Sequence, residues 1–97
     1  MKVEPTERGF ARIDFIDRYD VECSLQKSSL AFEDAIWLGV NEPDPQIMSS
    51  KVRPGGTGWE SYPLPEDVHC NTRMHLTQEQ VAELLPHLQR FVETGEI

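Results

Sequence analysis

The chain has 97 residues, of which 38% are hydrophobic, and its 17 acidic and 9 basic residues give a formal net charge of −8. This length and apolar content suit a single core, so we expect residues 1–97 to form one domain. Phosphate contacts need clustered Lys and Arg, so this charge argues against direct binding to nucleic acid. No run of roughly 18 apolar residues is present, so we expect no membrane association and a soluble, cytoplasmic protein.

Three short segments in the N-terminal half have the pattern of β-strands. Apolar and polar residues alternate from Phe10 to Ile16 and again from Val21 to Gln26, and the polar turn between them predicts a hairpin. The run Ala35–Val40 is mostly apolar, which predicts a more deeply buried third strand with Trp37 in the core. Together these segments predict an antiparallel sheet.

The segment from Asn41 to Val68 differs from the rest of the chain in its content of proline and glycine. It contains prolines at five positions and a PGGTGW stretch at residues 54–59, which disfavours regular structure. We therefore predict one long loop at about 41–68. Loops of this length are functional or disordered, so this one either covers a ligand or is a tolerated flexible insertion.

The C-terminal third predicts a strand followed directly by a helix. Residues Cys70–Leu76 alternate, and Thr77–Gln80 matches a capping box that begins a helix. Gly95 suits a left-handed helix end, and Pro86 predicts a kink or a restart as two short helices. Apolar residues recur at helical spacing between these ends: Val81, Leu84, Leu85, Leu88, Phe91 and Val92.

These elements predict an α+β fold. We expect a small, mostly antiparallel sheet of about four strands, with the C-terminal amphipathic helix packed on one face. The apolar stripe of the helix and one face of the sheet would share a single core. A sheet of this size leaves exposed edges, and pairing of edges across a two-fold axis favours a homodimer.

Polar residues at the end of the second predicted strand form a candidate anion site: Gln26, Lys27, Ser28 and Ser29. Hydroxyls, an ammonium group and free backbone N–H groups can together hold an anionic oxygen. Arg73 and His75 share one face of the fourth strand and would add positive charge, while Trp59 and Tyr62 in the loop are placed to stack on a base. The eight residues predict binding of a phosphorylated small molecule, in particular a nucleotide.

Structural explanations remain open for the same residues. Ser28 and Ser29 can form a simple turn beside a solvated Lys27, and Trp59 and Tyr62 can pack the loop onto the sheet. No glycine-rich phosphate loop of the GxxxxGK[ST] type is present to decide between the two interpretations.

Metal and enzyme sites are not predicted. His69, Cys70 and His75 are possible zinc ligands, with Cys23 or His87 as a fourth, but adjacent strand residues point to opposite faces and no zinc spacing is present. We expect no metal and no cofactor, and we interpret both cysteines as reduced thiols. No signature of nucleophilic or acid–base catalysis surrounds the cysteines or the acids, so we expect a protein without enzyme activity.

Two segments resemble a group of small phage and prophage proteins of uncharacterised function. They are CSLQKSSLAFEDAIWLGV, at residues 23–40, and TRMHLTQEQVAELLPHLQRFVETGEI, at residues 72–97. The likeness covers under half of the chain and brings no catalytic motif. It implies a phage accessory protein that counteracts bacterial defence, either by sequestering a nucleotide signal or by inhibiting a host defence protein. An inhibitor would present its acidic surface to a basic site and would bind in a salt-sensitive way.

Overall fold

The computed structural model describes residues 1–97. Its elements in chain order are β1 (Val3–Pro5), β2 (Ala11–Ile16), β3 (Glu22–Lys27), β4 (Ala35–Val40), β5 (Gln46–Met48), a 3-10 turn (Ser49–Lys51), β6 (Trp59–Ser61), β7 (Arg73–Thr77) and α1 (Gln78–Thr94). They form two compact units, one from Met1–Asn41 with Arg73–Ile97 and the other from Glu42–Thr72. None of the helices has the length and apolar content that crossing a membrane requires.

The first unit contains a five-stranded antiparallel sheet in the order β1-β2-β3-β4-β7. The four predicted strands are confirmed, including the hairpin of β2 and β3. The extra strand, β1, lies at the edge and pairs with β2 through Val3 and Ile13. It was not predicted because three residues are too few to show an alternating pattern.

The strand register assigns each side chain of this sheet to one of two faces, because directly paired residues share a face. The face with Ile13, Leu25, Leu38 and Met74 in register is called the apolar face here. Its other members are Val3, Pro5, Ala11, Phe15, Cys23, Lys27, Ile36, Val40 and Leu76. The opposite face is called the polar face, and it carries Glu4, Arg12, Asp14, Ile16, Glu22, Ser24, Gln26, Ala35, Trp37, Gly39, Arg73, His75 and Thr77.

Helix α1 begins and ends as the sequence predicts. The N–H of Gln80 donates to Thr77 Oγ1 at 3.2 Å, and the N–H of Thr77 donates to Gln80 Oε1 at 2.9 Å, so both halves of the capping box are present. Gly95 is left-handed, with φ of 76°, and closes the helix. The predicted restart at Pro86 is wrong, since the helix is continuous there. Ala82, whose carbonyl loses its donor, is exposed to solvent.

The α+β prediction is confirmed, with the C-terminal helix packing on the antiparallel sheet where it follows β7. Val81 is half-buried in a groove beside Ile36 and Leu76. No residue of the helix is fully buried, however, and Cys23 and Ala35 are the only buried hydrophobic residues of the chain. The expectation that the helix stripe and the sheet face form one closed core is therefore not met within a single chain.

The second unit contains the two-stranded antiparallel sheet of β5 and β6. The buried Ser49 donates from Oγ to Glu60 Oε2 at 3.1 Å, and Arg53 Nη1 donates to the same oxygen at 2.7 Å. A Cβ on Gly56 would lie 2.6 Å from the carbonyl oxygen of Ser49, so only glycine fits there. The sequence predicted one irregular loop at 41–68, and the two short strands within it correct that prediction.

Candidate functional site

Arg73 occupies the centre of the candidate site on the polar face. Its Nη1 donates to Gln26 Oε1 at 3.0 Å and to Ser24 Oγ at 3.2 Å, and both acceptors are neutral. The side chain is half-buried, and no carboxylate lies within ion-pair distance of it. A guanidinium has five N–H donors in a fixed planar fork, so most of them stay free for a ligand.

Gly39 explains how Arg73 reaches two residues on β3. In the register, Gly39 lies between Ser24 on one side and Arg73 on the other, so the arginine side chain must cross β4 at this position. A glycine has no Cβ to obstruct that crossing, and the φ of 152° at Gly39 is one that other residues rarely adopt. A glycine inside a strand often marks such a close approach.

Arg12 brings a second guanidinium to the same acceptor. Its Nη1 donates to Gln26 Oε1 at 3.3 Å, so the amide oxygen of Gln26 accepts hydrogen bonds from two arginines. The Nε of Arg12 also pairs with Asp14 Oδ1 at 3.0 Å, which partly neutralises this charge. Two like charges that converge on one neutral oxygen favour an anion between or beside them.

An aromatic pair borders the arginines. The rings of Trp37 and His75 are stacked, with centroids 3.9 Å apart and planes 10° from parallel. The Cζ of Arg73 lies 5.7 Å from the centroid of Trp37, within the range of a cation–π contact. His75 Nε2 lies 3.0 Å from the Oγ of the buried Ser28 and forms a hydrogen bond with it. The outer side of this pair is open, because His75 itself is exposed.

A cavity of about 310 Å³ adjoins the pair and lies within the first unit. It is bounded on the sheet side by Arg12, Gln26, Ser29 and Trp37, and on the other side by residues 6–8 and 10 of the turn that precedes β2. Arg8 in that turn lies with its Cζ 5.6 Å from the ring centroid of Phe10, and Glu7 is the one acidic residue of the lining. The volume is at the lower end of the range for small-molecule sites.

Lys27 does not belong to this site. It lies on the apolar face, and its Nζ donates to Asp34 Oδ1 at 2.7 Å. That hydrogen bond, with the positive charge of Lys27, lowers the pKa of the Asp34 carboxyl. Gln26 and Lys27 are neighbours in the sequence, but successive residues of a strand point to opposite faces. The prediction that Lys27 forms one anion site with Gln26, Ser28 and Ser29 is therefore wrong for Lys27.

Trp59 and Tyr62 lie in the second unit. Both are exposed, to 66% and 55%. Tyr62 borders a cavity of about 280 Å³ whose lining includes Glu42 and Asp44 and no basic residue. These carboxylates would repel a phosphate close to Tyr62, while the role of both aromatics in stacking on a base stays a prediction.

The two cysteines are free thiols. Burial raises the pKa of the Cys23 thiol, and the negative charge of Asp17 adds to the shift. A thiol with a raised pKa is mostly protonated at neutral pH and is a poor nucleophile or metal ligand. No three residues among the His, Cys, Asp and Glu side chains are close enough to hold a metal ion.

Three members of the site are not among the residues predicted from the sequence: Arg12, Ser24 and Trp37. Trp37 was predicted to lie in the core but lies on the polar face, half-buried beneath His75. A signal was present for Arg12 and Ser24, because the alternation put them opposite Ile13 and Leu25 and hence on the same face as Gln26. For Trp37 the apolar run around it concealed which face it occupies.

Comparison of the chain with models of protein families, with curated proteins and with solved structures gave no match. The geometry of the polar face is therefore the basis for a functional interpretation.

Proposed function

We propose that this chain binds a phosphorylated small molecule, in particular a nucleotide, on the polar face of its five-stranded sheet. The site comprises Arg12, Ser24, Gln26, Ser28, Arg73 and His75, with Trp37 beneath the histidine. Ser29 borders it through the adjoining cavity.

The convergence of two arginines on one neutral oxygen supports this proposal most directly. The chain has 17 acidic residues, yet Arg73 is half-buried and hydrogen-bonds only neutral groups. A buried or half-buried charge is ordinarily paired, because removing it from water is costly. A phosphate would supply the missing counter-charge through a bidentate contact with the guanidinium.

The remaining groups suit the rest of a nucleotide. The exposed ring of His75, held flat against Trp37, offers a surface on which a base can stack. Ser28 fixes the position of that ring through its hydrogen bond, so the stacking surface is formed before a ligand arrives.

The proposed role is sequestration without catalysis. Together with the resemblance to phage proteins, a site of this kind supports an accessory protein that removes a nucleotide immune signal in the cytoplasm of an infected bacterium. Sequestration of the nucleotide would require only a sufficient affinity for it and a sufficient concentration of the protein.

Isothermal titration calorimetry against a panel of cyclic and linear nucleotides tests this proposal. We expect at least one member to bind, and we expect Arg73→Ala to weaken that binding by about 10-fold to 100-fold, the scale of a lost hydrogen bond to a charged group. Lys27→Ala is the matched control, since it removes a positive charge from the opposite face and should leave affinity unchanged. No heat signal for any nucleotide, or equal losses in both variants, would reject the site.

The alternative, an acidic inhibitor of a host defence or nucleic-acid-binding protein, stays a prediction that the same protein can test. Its association with a basic partner would weaken steeply between low and high salt, whereas a site that combines stacking with hydrogen bonds is less sensitive. A partner captured from host lysate at low salt, by a protein that binds no nucleotide, would favour the inhibitor.

A further inference from the structure

The apolar stripe of helix α1 has no partner within the chain. Five of its side chains remain 44% to 77% exposed: Leu84, Leu85, Leu88, Phe91 and Val92. Their spacing places them on one side of the helix, where they form a continuous strip of aliphatic and aromatic surface. Isolated exposed apolar residues are ordinary, but a contiguous strip of this kind marks a contact surface.

The apolar face of the sheet is also incompletely covered. Ile13, Leu25 and Leu38 are half-buried rather than buried, and Met74 beside them is 56% exposed. One chain therefore carries both halves of a two-layer α/β core, a helix stripe and a sheet face, and leaves both open. Each surface matches the chemistry of the other.

The surface that the chain exposes in excess of a compact protein of its mass has the size of an obligate interface. The chain exposes 8310 Å², whereas a compact folded protein of 11.1 kDa exposes roughly 5,700 Å². Even two separate bodies with the sizes of the two compact units would expose only roughly 6,700 Å² by the same relation. The excess of roughly 1,600 Å² per chain doubles in a dimer to a value within the range of about 2,000–5,000 Å² for obligate homodimers.

We propose that a second copy of this chain covers these surfaces, with the α1 stripe of each protomer packed on the apolar sheet face of its partner. A two-fold axis permits this arrangement, because each helix meets the partner's sheet by the same contact. The polar face is on the other side of the sheet and stays open, so the dimer would present two ligand sites. This interface does not depend on the proposed function, and it differs from the pairing of strand edges expected from the sequence.

Three single substitutions to glutamate test the interface by light scattering after size-exclusion chromatography at about 20 µM. We expect the parent and Ala82→Glu to have twice the mass of 11.1 kDa, because Ala82 is exposed beside the stripe and not within it. Leu88→Glu on the helix and Met74→Glu on the sheet would each bury charge at the interface and weaken self-association by roughly 100-fold or more, so the measured mass should fall toward 11.1 kDa as each variant is diluted. Both positions are more than half exposed in the single chain, so the substitutions are compatible with its fold.

Nuclear magnetic resonance on a mixed sample of labelled and unlabelled protein tests the arrangement. We expect intermolecular contacts between methyl groups of Leu88 and those of Leu25 or Leu38. A folded monomeric parent would overturn the proposal, as would a dimer that survives both Leu88→Glu and Met74→Glu. Intermolecular contacts confined to helix against helix would overturn the reciprocal packing.

Discussion

The two faces of the five-stranded sheet use the same strands for opposite purposes. On the polar face, Arg73 crosses β4 to reach Ser24 and Gln26, and long-range hydrogen bonds hold the side chains in place. On the apolar face, hydrogen bonds between side chains are absent except at Lys27, and the surface is mostly apolar and partly open. Hydrogen bonds are directional, so a face that fixes several donors is suited to binding a small ligand. Hydrophobic contact has no preferred direction and grows with the area buried, so an apolar face is suited to packing.

Neighbouring residues of β3 separate the two roles most sharply. Leu25→Ala removes side-chain volume from the apolar face and should lower the free energy of unfolding by about 2–3 kcal/mol, the lower part of the range for leucine truncation because Leu25 is half-buried. Gln26→Ala should cost less stability but change nucleotide affinity. Chemical denaturation and calorimetry on both variants measure this. Similar profiles for the two would mean that the faces are not functionally distinct.

Gly39 affects both the backbone conformation of β4 and the path of the Arg73 side chain on the polar face. Gly39→Ala should destabilise the protein by about 1–2 kcal/mol, because the φ of 152° is costly for a residue with a Cβ. The new methyl group would also lie on the path of the Arg73 side chain and weaken ligand binding. Gly55→Ala is the control, since Gly55 also has a positive φ but nothing lies near its added Cβ and it belongs to the other unit. Denaturation midpoints and ligand titrations should show a loss of affinity for Gly39→Ala alone.

Ser28 tests whether the aromatic pair is positioned by the serine. Ser28→Ala removes the hydrogen bond to His75 and should cost about 1 kcal/mol of stability, since the serine is buried. His75 should then lose its fixed orientation over Trp37, which a change in the imidazole proton resonances would report. The exposed Ser29 provides a matched control, and Ser29→Ala should leave those resonances unchanged.

The ion pair at the end of the apolar face should give the smallest effect. Because the pKa of Asp34 is lowered from its ordinary value of 3.8 in the folded chain, the pair contributes stability that is present above that pH. The contribution disappears as the pH falls through the lower folded value and the carboxylate gains a proton. Asp34→Asn should therefore be slightly less stable than the parent at pH 7 and equal to it in strong acid. Denaturation curves at both pH values check this, and a constant difference would contradict it.

Local chemistry made the elements of this protein predictable. Alternation in β2 and β3 reflects a period of two that any half-buried strand must have, and the helix ends followed from Thr77, Gln80 and Gly95 alone. The same alternation correctly placed Arg73 and His75 on one face of their strand. It was also enough to exclude Lys27 from the face of Gln26, although the two residues had been grouped by their adjacency in the chain.

Only the tertiary structure decided which of these residues meet. The contact of Arg73 with Ser24 joins residues 49 positions apart, and it depends on the order of three strands and on a glycine between them. The face occupied by Trp37 depends on a register that an apolar run does not reveal. The exposure of α1 likewise does not follow from its sequence pattern. An amphipathic stripe indicates which side of a helix is suited to burial, but it does not indicate whether the same chain or another molecule covers that side.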